Sequence, residues 1–107
     1  RKKARHNVYV ILLDAGVLSE KGFREANPGC DRSKECYYVG MTGLDPADRF
    51  ENHRKGHKAN RYARDYGLRL CPLLYEEHNP LPYEDAVEME VELARILRRR
   101  GHAVWQR

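Results

Sequence analysis

The chain has no apolar run near the roughly 20 residues that cross a bilayer. Its longest, Val8 to Leu13, has the length of a strand. It has no CxxC pair, and its cysteines, Cys30, Cys36 and Cys71, are odd in number. A disulfide-stapled scaffold is thereby disfavoured, and a reducing cytoplasm is the expected compartment. Cys30 and Cys36 could pair with each other or join His6 at a zinc ion, but free thiols are the expectation. Internal repeats, low-complexity tracts and linkers are absent. The start, Arg1-Lys2-Lys3-Ala4-Arg5, is basic but leads into no apolar stretch with a cleavage site, so no signal peptide is expected. It begins without Met, and the chain is expected to be cut from something longer.

What is present fits one folded domain spanning residues 1–107. The 107 residues suffice for a single core. At 41% hydrophobic and 34% charged, the chain can bury that core, which argues against disorder. The net charge of +4 favours a polyanionic partner. Basic residues cluster in Arg1 to Arg5, Arg54 to Arg64 and Arg95 to Arg100; acid gathers in Asp14 to Glu35 and Glu76 to Glu92. Basic segments that meet in space make a phosphate-binding surface. The plain alternative is a solvated charged face.

Local patterns predict the elements. Val8 to Leu13 is β-branched and apolar throughout, a strand buried on both faces. Asp14 to Glu35, with its glycines and Pro28, reads as a long inserted loop with a helical turn near Lys21 to Ala26. Cys36 to Met41 is a second strand. Asp45 suits a helix cap and Pro46 the first turn, so a helix runs from Pro46 to about Arg54. A second is expected over Lys58 to Tyr66, ended by Gly67. Leu68 to Tyr75 reads as a third strand, and Pro72 inside it demands an edge position or a bulge. A long helix follows from Tyr83 to Arg100, stopped by Gly101. Ala103-Val104-Trp105 could add a short terminal strand. The expected fold is α+β, a small mixed three-stranded sheet flanked by helices in the order β-β-α-α-β-α.

Three sets of residues stand out. In the last helix Ala86, Met89, Leu93, Ile96 and Leu97 form an apolar stripe, and Glu90 lies inside it, while Glu88 and Glu92 project the other way. A buried carboxylate needs a cation, a donor or a metal; a salt bridge to a buried Arg, or a wet stripe edge, would also satisfy it. Arg49 and His53 share a helix face at a spacing of four. A guanidinium grips phosphate through paired hydrogen bonds, and an imidazole moves protons near neutral pH, though such a pair is commonly surface decoration. Tyr9 and Tyr38 sit among apolar strand residues, where a phenol must find a partner. Gly40, two residues after Tyr38, leaves space beside that ring.

Together these residues resemble the GIY-YIG nuclease superfamily. Asn7-Val8-Tyr9 stands at the first triplet and Tyr38-Val39-Gly40 at the second. Arg49-Phe50-Glu51-Asn52-His53 carries the family's Arg-to-His spacing, and Ala86 to Leu93 matches the helix with its metal-binding glutamate, at Glu90. The resemblance runs from Asn7 to Trp105. The first triplet lacks its Gly and Ile, 28 residues separate Tyr9 from Tyr38, and no Asn follows Glu90, where Gln106 is the sole amide.

The resemblance implies a DNA endonuclease that hydrolyses phosphodiester bonds. Glu90 would hold one Mg²⁺ or Mn²⁺, with the DNA phosphate completing the site. Arg49 would stabilise charge on the phosphate. Tyr9 is the candidate for activating water, His53 takes or relays the proton, and Tyr38 positions water or phosphate. Lys55, Lys58, Arg61 and Arg64 are candidates for DNA-backbone contacts, which carry no sequence information. One site cuts one strand, so a double-strand break needs a homodimer or a second visit. Targeting falls to the 14–35 loop, DNA shape or an additional domain or partner. Two alternatives remain: a catalytically inactive nucleic-acid-binding module on the same fold, and a protein-interaction domain in which Glu90 merely pairs with Arg49.

Overall fold

A computed structural model describes residues 3–106. Arg1 and Lys2 of the basic N-terminal segment lie outside the described residues. Strand β1 (Asn7–Leu13) pairs antiparallel with β2 (Cys36–Thr42), bringing Tyr9 opposite Gly40 and Ile11 opposite Tyr38. Between them lie a 3-10 turn (Ala15–Ser19) and the short helix α1 (Lys21–Glu25). Helices α2 (Pro46–Arg54) and α3 (Arg61–Tyr66) follow β2, and β3 (Gly67–Leu70) pairs antiparallel with β1. Two 3-10 turns, Pro72–Leu74 and Glu76–His78, lead to helix α4 (Tyr83–Arg99) and strand β4 (Ala103–Gln106).

Among the described residues the sheet has four strands in the order β3-β1-β2-β4, which corrects the expected three. The added strand is the terminal segment Ala103–Gln106, which runs parallel to β2 with Trp105 beside Tyr38. Its sequence signal was short; Gly101 at φ 98 makes the left-handed turn that brings the chain from α4 into β4. β3 stops at Leu70, earlier than expected, because Pro72 opens a 3-10 turn. Pro72 thus lies beyond the strand rather than inside it, and β3 is an edge strand whose register with β1 slips between Leu12 and Leu13.

The helices form where the sequence signals them. Asp45 accepts from the Ala47 N–H at 2.9 Å and Pro46 fills the first turn of α2. α4 begins with Glu84 and Asp85 and ends with Arg98 and Arg99, each sign matched to the helix dipole. Its buried positions are Ala86, Glu90, Leu93, Ala94 and Leu97, with Met89 and Ile96 half-buried. Val8, Val10, Val39 and Val104 are fully buried in the sheet. Each such side chain contributes about 1.5–3 kcal/mol relative to exposure.

The 14–35 segment is part of the core rather than a free loop. Val17 and Phe23 are fully buried, and Phe23 stacks on Trp105 at a centroid distance of 6.5 Å. Buried Asn27 fastens it to the far edge of β4. Its Oδ1 accepts from Val104 N at 2.8 Å and from Arg98 Nε at 3.3 Å, while its Nδ2 donates to the Phe23 carbonyl at 2.9 Å. Cys30, Cys36 and Cys71 are free, and burial pushes the Cys36 thiol up to about 11. No described helix is long and apolar enough to cross a membrane.

Candidate active site

Because Tyr9 and Gly40 are register partners, Gly40 faces the Tyr9 ring across the strand pair. A Cβ at position 40 would stand 2.6 Å from Tyr9 Oη and 2.7 Å from its Cζ. The space expected beside Tyr38 is thus occupied by the hydroxyl end of Tyr9. The Tyr9 and Tyr38 rings lie 6.2 Å apart, and both are buried.

Helix α2 lays His53 over this pair. The imidazole is fully buried, 6.0 Å from the Tyr9 ring centroid and 5.3 Å from that of Tyr38. His53 Nε2 lies 2.9 Å from Tyr9 Oη. Tyr38 and Arg49 also engage that hydroxyl electrostatically and by hydrogen bonding. Burial, helped by the neighbouring Tyr38, holds the Tyr9 hydroxyl well above the ordinary phenol range; Arg49 acts in the opposite direction. Burial, with Arg49 adding to it, pushes His53 down to about 4, so the ring is neutral at pH 7.

Arg49 and His53, one turn apart on α2, also organise the loop that follows. Arg49 donates through its two terminal nitrogens to the carbonyls of His57 at 3.3 Å and Lys58 at 2.8 Å. The Asn60 N–H donates to His53 Nδ1 at 3.4 Å. Lys58 takes φ 48, a left-handed conformation uncommon for a residue with a Cβ, so α3 starts at Arg61 rather than at the expected Lys58. Asn60 caps it, its Oδ1 accepting from Tyr62 N at 2.9 Å and Ala63 N at 3.3 Å.

Glu90 is 4% exposed on α4, as the stripe requires, while Glu88 is exposed and Glu92 half-buried. Gln106 Nε2 donates to Glu90 Oε1 at 3.0 Å. The amide comes from β4 one residue beyond Trp105, the register partner of Tyr38. Among the described residues no group of three or more His, Cys, Asp and Glu side chains gathers to cage a metal. A metal held here would have Glu90, which accepts from the Gln106 amide, as its one carboxylate ligand. That set fits Mg²⁺ or Mn²⁺, hard cations that keep several waters, better than zinc with its demand for several protein ligands.

The four basic candidates divide. Lys55 closes α2 and Lys58 stands on the loop Arg49 holds. Arg61 is drawn to Glu20 at 3.2 Å and lies over the Tyr62 ring at 4.9 Å, and Arg64 meets Asp65 at 2.8 Å. Two residues at the site carried no assigned role in the sequence. Asn60 was legible as a helix cap had the helix been started at Arg61. Gln106 was visible as an amide, but only the pairing of β4 brings it to Glu90. No protein-family model, curated protein or solved structure matches the chain.

Proposed function

We propose that the chain is a metal-dependent DNA endonuclease of the GIY-YIG kind, with Tyr9, Tyr38, Arg49, His53 and Glu90 as its site. The observation that carries this reading is the buried 2.9 Å contact between Tyr9 Oη and His53 Nε2, two residues 44 apart in sequence, with Arg49 and Tyr38 engaging the same hydroxyl. A core tyrosine needs one partner. Gathering a second phenol, an imidazole and a guanidinium on that one oxygen costs desolvation that packing alone does not call for.

Each group has a task that its surroundings permit. Arg49 offers the donors it does not spend on His57 and Lys58 to a non-bridging phosphate oxygen. Tyr9 keeps its proton in the free protein, and therefore orients water or phosphate until further positive charge arrives to favour the phenolate. Neutral His53 fixes that hydroxyl from below. Glu90, aimed by Gln106, would hold Mg²⁺ or Mn²⁺. Such a cation, when bound, neutralises charge on the phosphate and the departing oxygen. Lys55 and Lys58 grip the DNA backbone, with Arg61 and Arg64 joining once they exchange their carboxylates for phosphate. Cytoplasmic residence and double-strand cutting by a homodimer belong to the same proposal; sedimentation with and without DNA tests the dimer.

A second reading, a nucleic-acid-binding module without catalysis, is favoured by the commitment of Arg49 to backbone carbonyls and the raised Tyr9 hydroxyl. A supercoiled-plasmid nicking assay in Mg²⁺, Mn²⁺ and EDTA, run on the protein and on Glu90→Ala, separates the two. Nicking that needs the cation and disappears in a folded Glu90→Ala supports the nuclease. Retained DNA binding with no nicking across several substrates supports the module.

A further inference from the structure

We infer that the backbone N–H of Asn60 is the positioning group that decides which ring nitrogen of His53 carries the proton, and so the direction of the Tyr9–His53 hydrogen bond. A backbone N–H can only donate. Its donation to His53 Nδ1 at 3.4 Å therefore requires that nitrogen to be bare. A neutral imidazole with bare Nδ1 carries its hydrogen on Nε2. Nε2 is the atom 2.9 Å from Tyr9 Oη, so His53 donates and the phenol oxygen accepts. The hydrogen of Tyr9 is thereby turned away from His53, toward the Tyr38 side of the cluster.

The opposite arrangement, with Tyr9 handing its hydrogen to Nε2, would put a hydrogen on Nδ1 and face it against the Asn60 N–H. Two donors would then meet head-on at a fully buried ring. The loop that carries Asn60 is held in place to prevent this. Arg49 binds the His57 and Lys58 carbonyls, His57 N donates to the Asn52 carbonyl at 2.9 Å, and the Asn60 side chain is spent on capping α3. The same Arg49 engages Tyr9, so one guanidinium links the loop to the hydroxyl whose hydrogen bond the loop directs. In the resting protein His53 is a donor to Tyr9, and it becomes an acceptor only if the Asn60 contact opens. The hydrogen-bond direction stands on geometry alone; its catalytic meaning rests on the nuclease reading.

The test needs neither DNA nor metal. Imidazole-¹⁵N-labelled protein at neutral pH is expected to show His53 with a bare Nδ1 and a protonated Nε2. Asn60→Ala removes the cap but keeps the N–H, and should leave this pattern unchanged. Asn60→Pro removes the cap and the N–H together while suiting the native φ of −71°. It should lose the single tautomer. A His53 protonated on Nδ1 in the unmodified protein overturns the inference, as does a folded Asn60→Pro whose spectrum matches Asn60→Ala. Should Asn60→Pro not fold, scalar coupling across the hydrogen bond between the Asn60 amide nitrogen and His53 Nδ1 in the unmodified protein decides: coupling supports the inference and its absence overturns it. Failure here leaves the nicking result unaffected, and loss of nicking leaves the tautomer measurable.

Discussion

Replacing Gly40 by Ala tests whether the site is built on the register of β1 and β2. The added Cβ would meet Tyr9 Oη at 2.6 Å, Tyr9 Cζ at 2.7 Å and Tyr38 Cε2 at 3.1 Å. All three belong to rigid rings that are at most 1% exposed, so no flexible side-chain end can swing aside. Overpacking of this kind costs about 1–3 kcal/mol. For a domain of this size about 1 kcal/mol lowers Tm by ~4–5 °C, so the melting point should fall by roughly 4–15 °C. Relief comes most readily by tilting Tyr9 away, which breaks its 2.9 Å contact with His53. Tyr9→Phe removes the oxygen that the methyl strikes but leaves the ring carbon, so it should lessen the clash only in part. In urea denaturation of the two single variants and the double variant, the effects should be coupled by at least ~0.5 kcal/mol, because both act on one atom. Gly40→Ala within about 0.5 kcal/mol of the parent, and additive with Tyr9→Phe, would refute the packing argument.

His53 gives a pH dependence. Its folded value of about 4 lies below the ordinary 6.5, so between them the unfolded chain binds a proton that the folded protein does not. Unfolding free energy should be undiminished above pH 6.5 and fall as pH drops toward 4; His53→Gln should flatten that leg in acid-to-neutral denaturation series. Lys55→Ala and Lys58→Ala should each reduce the salt slope of DNA binding by about 0.9 and weaken all sequences alike, measured by anisotropy at several salt concentrations. Gln106→Leu leaves Glu90 buried without its amide donor. Metal affinity or metal-dependent nicking should fall by about 10–100-fold with the fold retained, and unchanged metal titration would remove Gln106 from the site.

The parts of this molecule that were legible in sequence are those governed by short periods. The wheel of α4 alone separated Glu90 from Glu88 and Glu92, because a 3.6-residue repeat leaves one carboxylate of three facing inward, and Glu90 is the buried one. The cap at Asp45 was likewise local and correct, whereas Pro72 ended the third strand instead of sitting inside it. The 14–35 segment carries its expected helical turn as α1, but its glycines and proline hide the burial of Val17 and Phe23, and Phe23 finds its partner in Trp105 at the far end of the chain. Asn27 makes the same point in polar form. In sequence it is a turn residue before Pro28; in the fold its amide closes the unpaired backbone edge of β4, 77 residues away. That edge strand carries Gln106 to Glu90, and it sets Trp105 beside Tyr38. The insertion and the last strand thus brace each other at the β4 edge of the sheet. Local signals named Tyr9, Arg49, His53 and Glu90; their partners Asn60 and Gln106 became visible only with the true start of α3 and the pairing of β4.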